Sequence, residues 1–217
     1  KVRNHLIPQL GTIPLAKLTP QHVQSRYSEM LGSGLSPRTV LHVHRVLRES
    51  LKHAVKWGLL MRNVCDAVDP PKPQRKEMAA LDSVGIQKFL DVASTARYGP
   101  VFFLALYTGM RRSELLGLRW KAVDLSARTV SVTETLQRIE GKGMMALQPK
   151  TARSRRLVSL PPSAVALLSG LKVKQKDQRQ TLDLEWQEAD YVFSQPDGRS
   201  FIPDKVSAAF SKVIKDA

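Results

Sequence analysis

The chain has 217 residues, 42% hydrophobic and 24% charged, with 13 prolines and 12 glycines, a composition that allows one large or two small packed domains. It has no run approaching the roughly 18 apolar residues of a membrane helix and no signal-peptide core in KVRNHLIPQL, so a cytoplasmic protein without membrane contact is expected. Lys and Arg outnumber Asp and Glu by 34 to 19, a formal charge of +15, which points to a polyanionic partner; a merely basic protein is the alternative.

Cys65 stands alone and cannot form an internal disulfide, and the five histidines show no zinc-finger spacing, so no structural metal is expected. The first residue is Lys1 rather than Met, and a segment upstream is expected.

In chain order, Thr19-Pro20 and Ser36-Pro37 are helix starts, each a capping residue followed by proline at the first helical position. The first part of the chain reads as all-helical. Its helix over about 37–57 is amphipathic. At 100° per residue Val43, Leu47, Leu51 and Ala54 share one side, and Arg38, Arg45, Arg48, Lys52 and Lys56 share the other, interrupted only by Glu49. A solvated helix face usually mixes both signs, so this row suits DNA phosphates, with an unusually basic solvent face as the alternative. Such contacts supply affinity without reading sequence.

The stretch VDPPKPQRKEMAALD, with three prolines and no hydrophobic period, reads as a linker over 68–81 between domains at 1–67 and 82–217. Cut at residue 80, the chain carries 13 basic and 5 acidic residues before and 21 and 14 after, so both parts face the same polyanion.

Beyond the linker, helices are predicted at about 83–94, capped by Asp82, and 98–109, with a further one beginning near Ser113. Alternation at Val130 and Val132, at MMALQ, and at Leu157, Val158 and Leu160 predicts three short strands, with turns at 141–143 and 151–154. A basic helix at about 163–180, an apolar strand at 191–193, a QPDGRS turn and a last helix from about 204 follow. These elements make a mainly α chain with a small antiparallel sheet, an α+β fold. No acidic residue lies between Glu140 and Asp177, whereas Lys142, Lys150, Arg153, Arg155, Arg156, Lys172, Lys174 and Lys176 do, giving a second phosphate-facing surface. Trp57 and Trp120 read as core, as does Tyr107, and Cys65 as a buried thiol.

Arg111, beside a glycine at the junction of two helices, suits a phosphate oxygen together with free backbone N–H groups. Ser113 as a helix cap, with Arg111 and Arg112 as surface charges, is the alternative reading.

Three runs, LSPRTVLHVHRVLRESLKHAVKWGLLMRNVCDAV, ALYTGMRRSELLGLRWKAVDL and PKTARSRRLVSLP, resemble in order and separation the tyrosine recombinase, or phage integrase, family. The resemblance spans nearly the whole chain. It implies a helical core-binding domain joined to an integrase-like catalytic domain that lacks its last helices, closing around duplex DNA. It also implies a tyrosine that attacks the scissile phosphate, leaving a 3′-phosphotyrosine and a free 5′ hydroxyl, with no cofactor. Arg111 then matches the first catalytic arginine, Lys150 the general acid for the 5′ oxygen, and Glu114 an orienting residue. Arg153, Arg155 and Arg156 are expected on DNA.

The family's later His-x-x-Arg, its His or Trp and its tyrosine find no counterpart, since the one His-x-x-Arg, His42 with Arg45, precedes Arg111. Tyr27, Tyr98, Tyr107 and Tyr191 fail as nucleophiles by position. The 217 residues are therefore expected to bind DNA without cutting it, as a monomeric piece of a recombinase that forms tetramers on DNA. A naturally catalysis-deficient module occupying recombination sites is one alternative, and a generic RNA-binding protein another.

Overall fold

The computed structural model describes residues 2–74, 77, 80–148, 155–181 and 190–217. The chain divides into two compact units, residues 1–79 and 80–217. The fold is mainly α with small antiparallel sheets, as the sequence predicts.

The first unit is helical. A π turn, Val2–Leu6, runs into the short α1, Ile7–Leu10. α2 spans Pro20–Gly32; the Thr19 hydroxyl accepts from the His22 amide while the Thr19 amide donates to His22 Nδ1, both at 3.3 Å. α3 spans Pro37–Lys56, and its cap Ser36 accepts from the Thr39 amide at 3.2 Å. Both caps satisfy amides that a helix start leaves unpaired. α2 buries Val23, Tyr27 and Met30, and α3 buries Val40, Val43, Leu47, Leu51 and Ala54, all at helical spacing. Val64, Cys65 and Val68, in and after the short turn Val64–Ala67, complete this core.

α3 ends where Gly58 takes a left-handed φ of +74°, and the Leu59 amide donates back to the Ala54 carbonyl at 2.9 Å. This helix stop turns the chain outward. Trp57 is consequently 70% exposed, and Leu59 and Met61 are exposed beside it, which corrects the expectation that Trp57 is core.

The second unit begins with α4, Ser83–Thr95, whose cap Asp82 accepts from the Gly85 amide at 2.8 Å. α5, Gly99–Thr108, is nearly all apolar and packs against it. Glycine is required at the start of α5, because a Cβ on Gly99 would stand 2.1 Å from the Ala93 carbonyl oxygen. After α6, Arg112–Leu116, five strands follow among the described residues. β1, Val123–Asp124, β2, Thr129–Val132, and β5, Arg156–Ser159, form one antiparallel sheet in that order, with Val130 opposite Val158 and Val132 opposite Arg156. β3, Thr135–Ile139, and β4, Gly143–Leu147, form a separate hairpin whose turn uses Gly141 at φ +77°. β1 and β3 are additions to the three predicted strands.

Residues 191–193 are no strand of their own: Tyr191 makes an isolated bridge to Arg119, and Val192 and Phe193 are buried. α7, Pro162–Thr181, inserts Ala164 and Leu168 into the core. α8, Pro203–Asp216, adds Val206 and Val213, and sets Phe210 edge-on to Phe89 and Phe102. Burying Leu168, Val206 and Val213 contributes about 1.5–3 kcal/mol each. The result is a continuous core beneath the turn that carries Arg111.

Candidate active site and nucleic-acid interface

The turn that presents Arg111 is fixed on both sides. α5 closes on Gly109 at φ +60°, whose amide donates to the Ala105 carbonyl at 2.9 Å, and Thr108 Oγ1 donates to the Leu104 carbonyl. Met110 is buried and anchors the next step. Arg111 is then extended and itself caps α6, so this helix starts one residue earlier than the predicted Ser113.

Glu114 reaches back from the first turn of α6. Its Oε2 accepts the Arg111 backbone N–H at 2.8 Å and its Oε1 accepts Arg111 Nη1 at 3.0 Å. The backbone donor at Arg111 that sequence offered to a phosphate is therefore taken by Glu114. From β5, Arg156 lays its guanidinium fork on the same carboxylate, Nη1 to Oε1 at 3.1 Å and Nη2 to Oε2 at 2.8 Å. The Glu114 side chain is 1% exposed, Arg156 33% and Arg111 70%.

Burial by itself would push the Glu114 carboxyl up, but the hydrogen bonds from Arg156 and from the Arg111 backbone and side chain outweigh it and hold the group at about 2. The same contact raises the Arg156 guanidinium above its ordinary value. One carboxylate against two guanidiniums leaves a net positive charge, and the exposed member of the trio is Arg111. Such a fixed, solvent-facing guanidinium can bind the non-bridging oxygens of a phosphodiester.

Arg112 points elsewhere. Its Nη1 donates to the Pro203 carbonyl at 3.2 Å and to Ser207 Oγ, fastening α6 to α8. Arg155 is exposed and donates to Gln148 Oε1 at 2.7 Å. Lys150 and Arg153 lie outside the described residues.

In the first unit, Arg38, Arg45, Arg48, Lys52 and Lys56 are all exposed on α3. Two of them already have partners: Arg48 holds Asp66 at 2.8 Å, and Lys52 stands 3.7 Å from Glu49. Arg38, Arg45 and Lys56 form no ion pair among the described residues. Asp66 is a second acidic residue beside this row that the helical period cannot show, because it comes from the following turn.

Beneath the row, His44 Nδ1 lies 3.0 Å from the Tyr27 hydroxyl, both buried. Burial first, then Arg48 and Arg45, lowers the His44 pKa, and burial pushes the Tyr27 phenol up. A buried phenol with a raised pKa is unsuited to nucleophilic attack. Tyr107 is 43% exposed rather than core, its ring tilted 36° against Phe103 at 4.6 Å between ring centres. Trp120 is half-buried, donating from Nε1 to Gln175 at 2.7 Å. Among the described residues no group of three or more His, Cys, Asp or Glu is placed to hold a metal, and no helix is long and apolar enough to cross a membrane.

With this geometry in place, residues 80–217 match the phage integrase family model. The chain belongs to the phage integrase family. The integrase of Saccharopolyspora erythraea is 25% identical, covering 100% of this chain and 62% of the relative. The integrase of Streptomyces ambofaciens is 28% identical over 99% of this chain and 56% of its own length. The XerC-like tyrosine recombinase of Caldanaerobacter subterraneus is 26% identical over 90% of this chain and 54% of its own. The chain thus spans between about half and 62% of these curated integrases.

Solved integrase structures share the fold. The Tn1549 transposon integrase, in complex with a circular intermediate DNA, has a TM-score of 0.80 at 19% identity, covering 95% of this chain and 67% of that one. A lambda integrase dimer bound to a COC′ core site has a TM-score of 0.63 at 16% identity, covering 96% and 68%.

Proposed function

We propose that these residues hold duplex DNA and supply the phosphate-binding side of the active site for site-specific recombination through a phosphotyrosyl intermediate. Arg111 binds the scissile phosphate and stabilises the charge that gathers on its oxygens as the attacking tyrosine adds. Lys150 delivers the proton to the departing 5′ oxygen, and Glu114 orients Arg111. The tyrosine nucleophile is not among the 217 residues, so in this reading they bind DNA and leave it uncut.

Arg38, Arg45 and Lys56, with Arg48 and Lys52 once released from their carboxylates, hold the DNA backbone along α3, and Arg155 adds a phosphate contact from the second unit. Four such chains on two duplexes form the recombining assembly, and a single chain is a monomer in solution. The observation that carries the reading is the exposed Arg111 guanidinium held from below by a buried, ionised Glu114.

The test is binding of the chain to a labelled duplex as salt is varied. Each neutralised phosphate contributes a slope of about −0.9 in log K against log salt, so contacts from Arg38, Arg45, Lys56 and Arg111 alone predict a slope steeper than about −3. A slope shallower than about −1, or equal affinity for structured RNA of the same length, would refute the proposal.

A further inference from the structure

Arg156 is one of three arginines clustered in the sequence between residues 153 and 156, yet it is placed differently from an ordinary phosphate ligand. Both of its terminal nitrogens are committed to Glu114, and it stands 42 positions away from that residue in the chain. The two carboxylate oxygens receive four hydrogen bonds: two from Arg156, one from the Arg111 side chain and one from the Arg111 backbone.

Removing Arg156 would leave Glu114 with a whole negative charge and vacant lone pairs facing a single guanidinium. A carboxylate so placed takes a bidentate hold on that guanidinium, as carboxylates and arginines do when both are free. Arg111 would then be neutralised by its own support and lost to the phosphate. With the Arg156 fork in place, only one of the Arg111 side-chain donors is spent on Glu114, and the others face solvent.

We infer that Arg156 is a positioning residue for the recombinase site, saturating Glu114 so that the Arg111 charge is left largely uncompensated and its remaining donors are free to bind a phosphodiester. It acts through Glu114 and makes no phosphate contact of its own. The pair also ties β5, which follows the segment carrying Lys150, to the turn carrying Arg111. This inference rests on the reading of Arg111 as the phosphate ligand.

The test is a double-mutant cycle on duplex binding by the whole chain, using Arg111→Ala, Arg156→Lys and the double variant. Lysine keeps the charge of Arg156 but cannot form the fork. Arg156→Lys should lose affinity about as much as Arg111→Ala, on the order of five- to tenfold at 0.1 M salt for one lost phosphate contact. The double variant should be no weaker than Arg111→Ala alone. Wild-type affinity in Arg156→Lys, or a double variant as weak as the product of the two single effects, overturns the inference while leaving Arg111 as a phosphate ligand. An Arg111→Ala variant that binds like wild type removes the Arg111 reading itself, and this inference with it.

A second measurement guards against misfolding. The Glu114 carboxyl, followed by carbon-13 NMR, should titrate at higher pH in Arg156→Lys than in wild type, with amide exchange in α6 and β2 retained. An unchanged Glu114 titration in that folded variant also overturns the inference.

Discussion

Glu114 should be the main acid-sensitive strut of the second unit, and Glu114→Gln measures it. Its carboxyl ordinarily titrates near 4.5 and is held at about 2 in the folded chain. The folded state therefore binds the proton more weakly than the unfolded state, and the ion cluster stabilises the fold fully above about pH 5. That stability drains away as pH falls from about 4.5 towards 2. A difference of roughly two to three units, at about 1.4 kcal/mol each, amounts to about 3 kcal/mol. The side chain is 1% exposed, so solvent screening takes little from this figure.

Glutamine keeps the shape and one acceptor but not the charge. Glu114→Gln should cost about 3 kcal/mol at pH 7 and progressively less towards pH 2, where wild type has lost the same contribution. Amide exchange at Leu115, Leu116 and Val130, buried around the site, isolates this unit from the other. A wild-type-minus-variant difference that stays constant from pH 7 to pH 2.5, or a Glu114 midpoint near 4.5 by carbon-13 NMR, would show that Arg111 and Arg156 do not act on this carboxylate as argued.

The remaining expectations concern packing. Gly99→Ala drives a Cβ to 2.1 Å from the Ala93 carbonyl, a backbone atom that cannot step aside, and should destabilise the second unit by at least about 2 kcal/mol in urea unfolding; a neutral result would mean the α4–α5 junction is slack. Cys65 is 2% exposed and burial pushes its thiol up to about 11 from an ordinary 9.0, so at pH 8 its labelling by a disulfide reagent should run at least about a hundredfold slower in the native chain than in urea, whereas comparable rates would place the thiol at the surface. Trp57→Ala, at a side chain 70% exposed, should change stability by less than about 0.5 kcal/mol, whereas a loss of the 3–5 kcal/mol typical of buried Trp would return it to the core.

Most helices are legible in the sequence because their ends carry their own chemistry: Thr19-Pro20, Ser36-Pro37 and Asp82 each become the cap that their residue type suggests. Strands are harder. In β3, TLQRI, only Leu136 is buried, too little alternation to stand out from a loop, and β1 has only two residues. Trp57 misleads for a different reason. It continues the helical count of α3, but Gly58 ends the helix there, and periodicity has no authority over residues past the stop.

The site divides along the same line between local and distant information. Arg111 and Glu114 are three residues apart on one turn, and their pairing is a property of that spacing. Arg156 belongs to them only through strand register, and Arg153, Arg155 and Arg156 are indistinguishable by charge. The deciding signal is the two-residue period of β5: Arg156 and Val158 are both half-buried while Leu157 and Ser159 are exposed, so the arginine shares the face of an apolar residue and not the outer face. An arginine on that face must meet a carboxylate or remain an unpaired charge in the interior, and Glu114 is the one buried carboxylate among the described residues. Alternation thus turns Arg156 towards the interior and the scarcity of buried acids leaves it one partner, a contact with Glu114 that charge counting alone does not show.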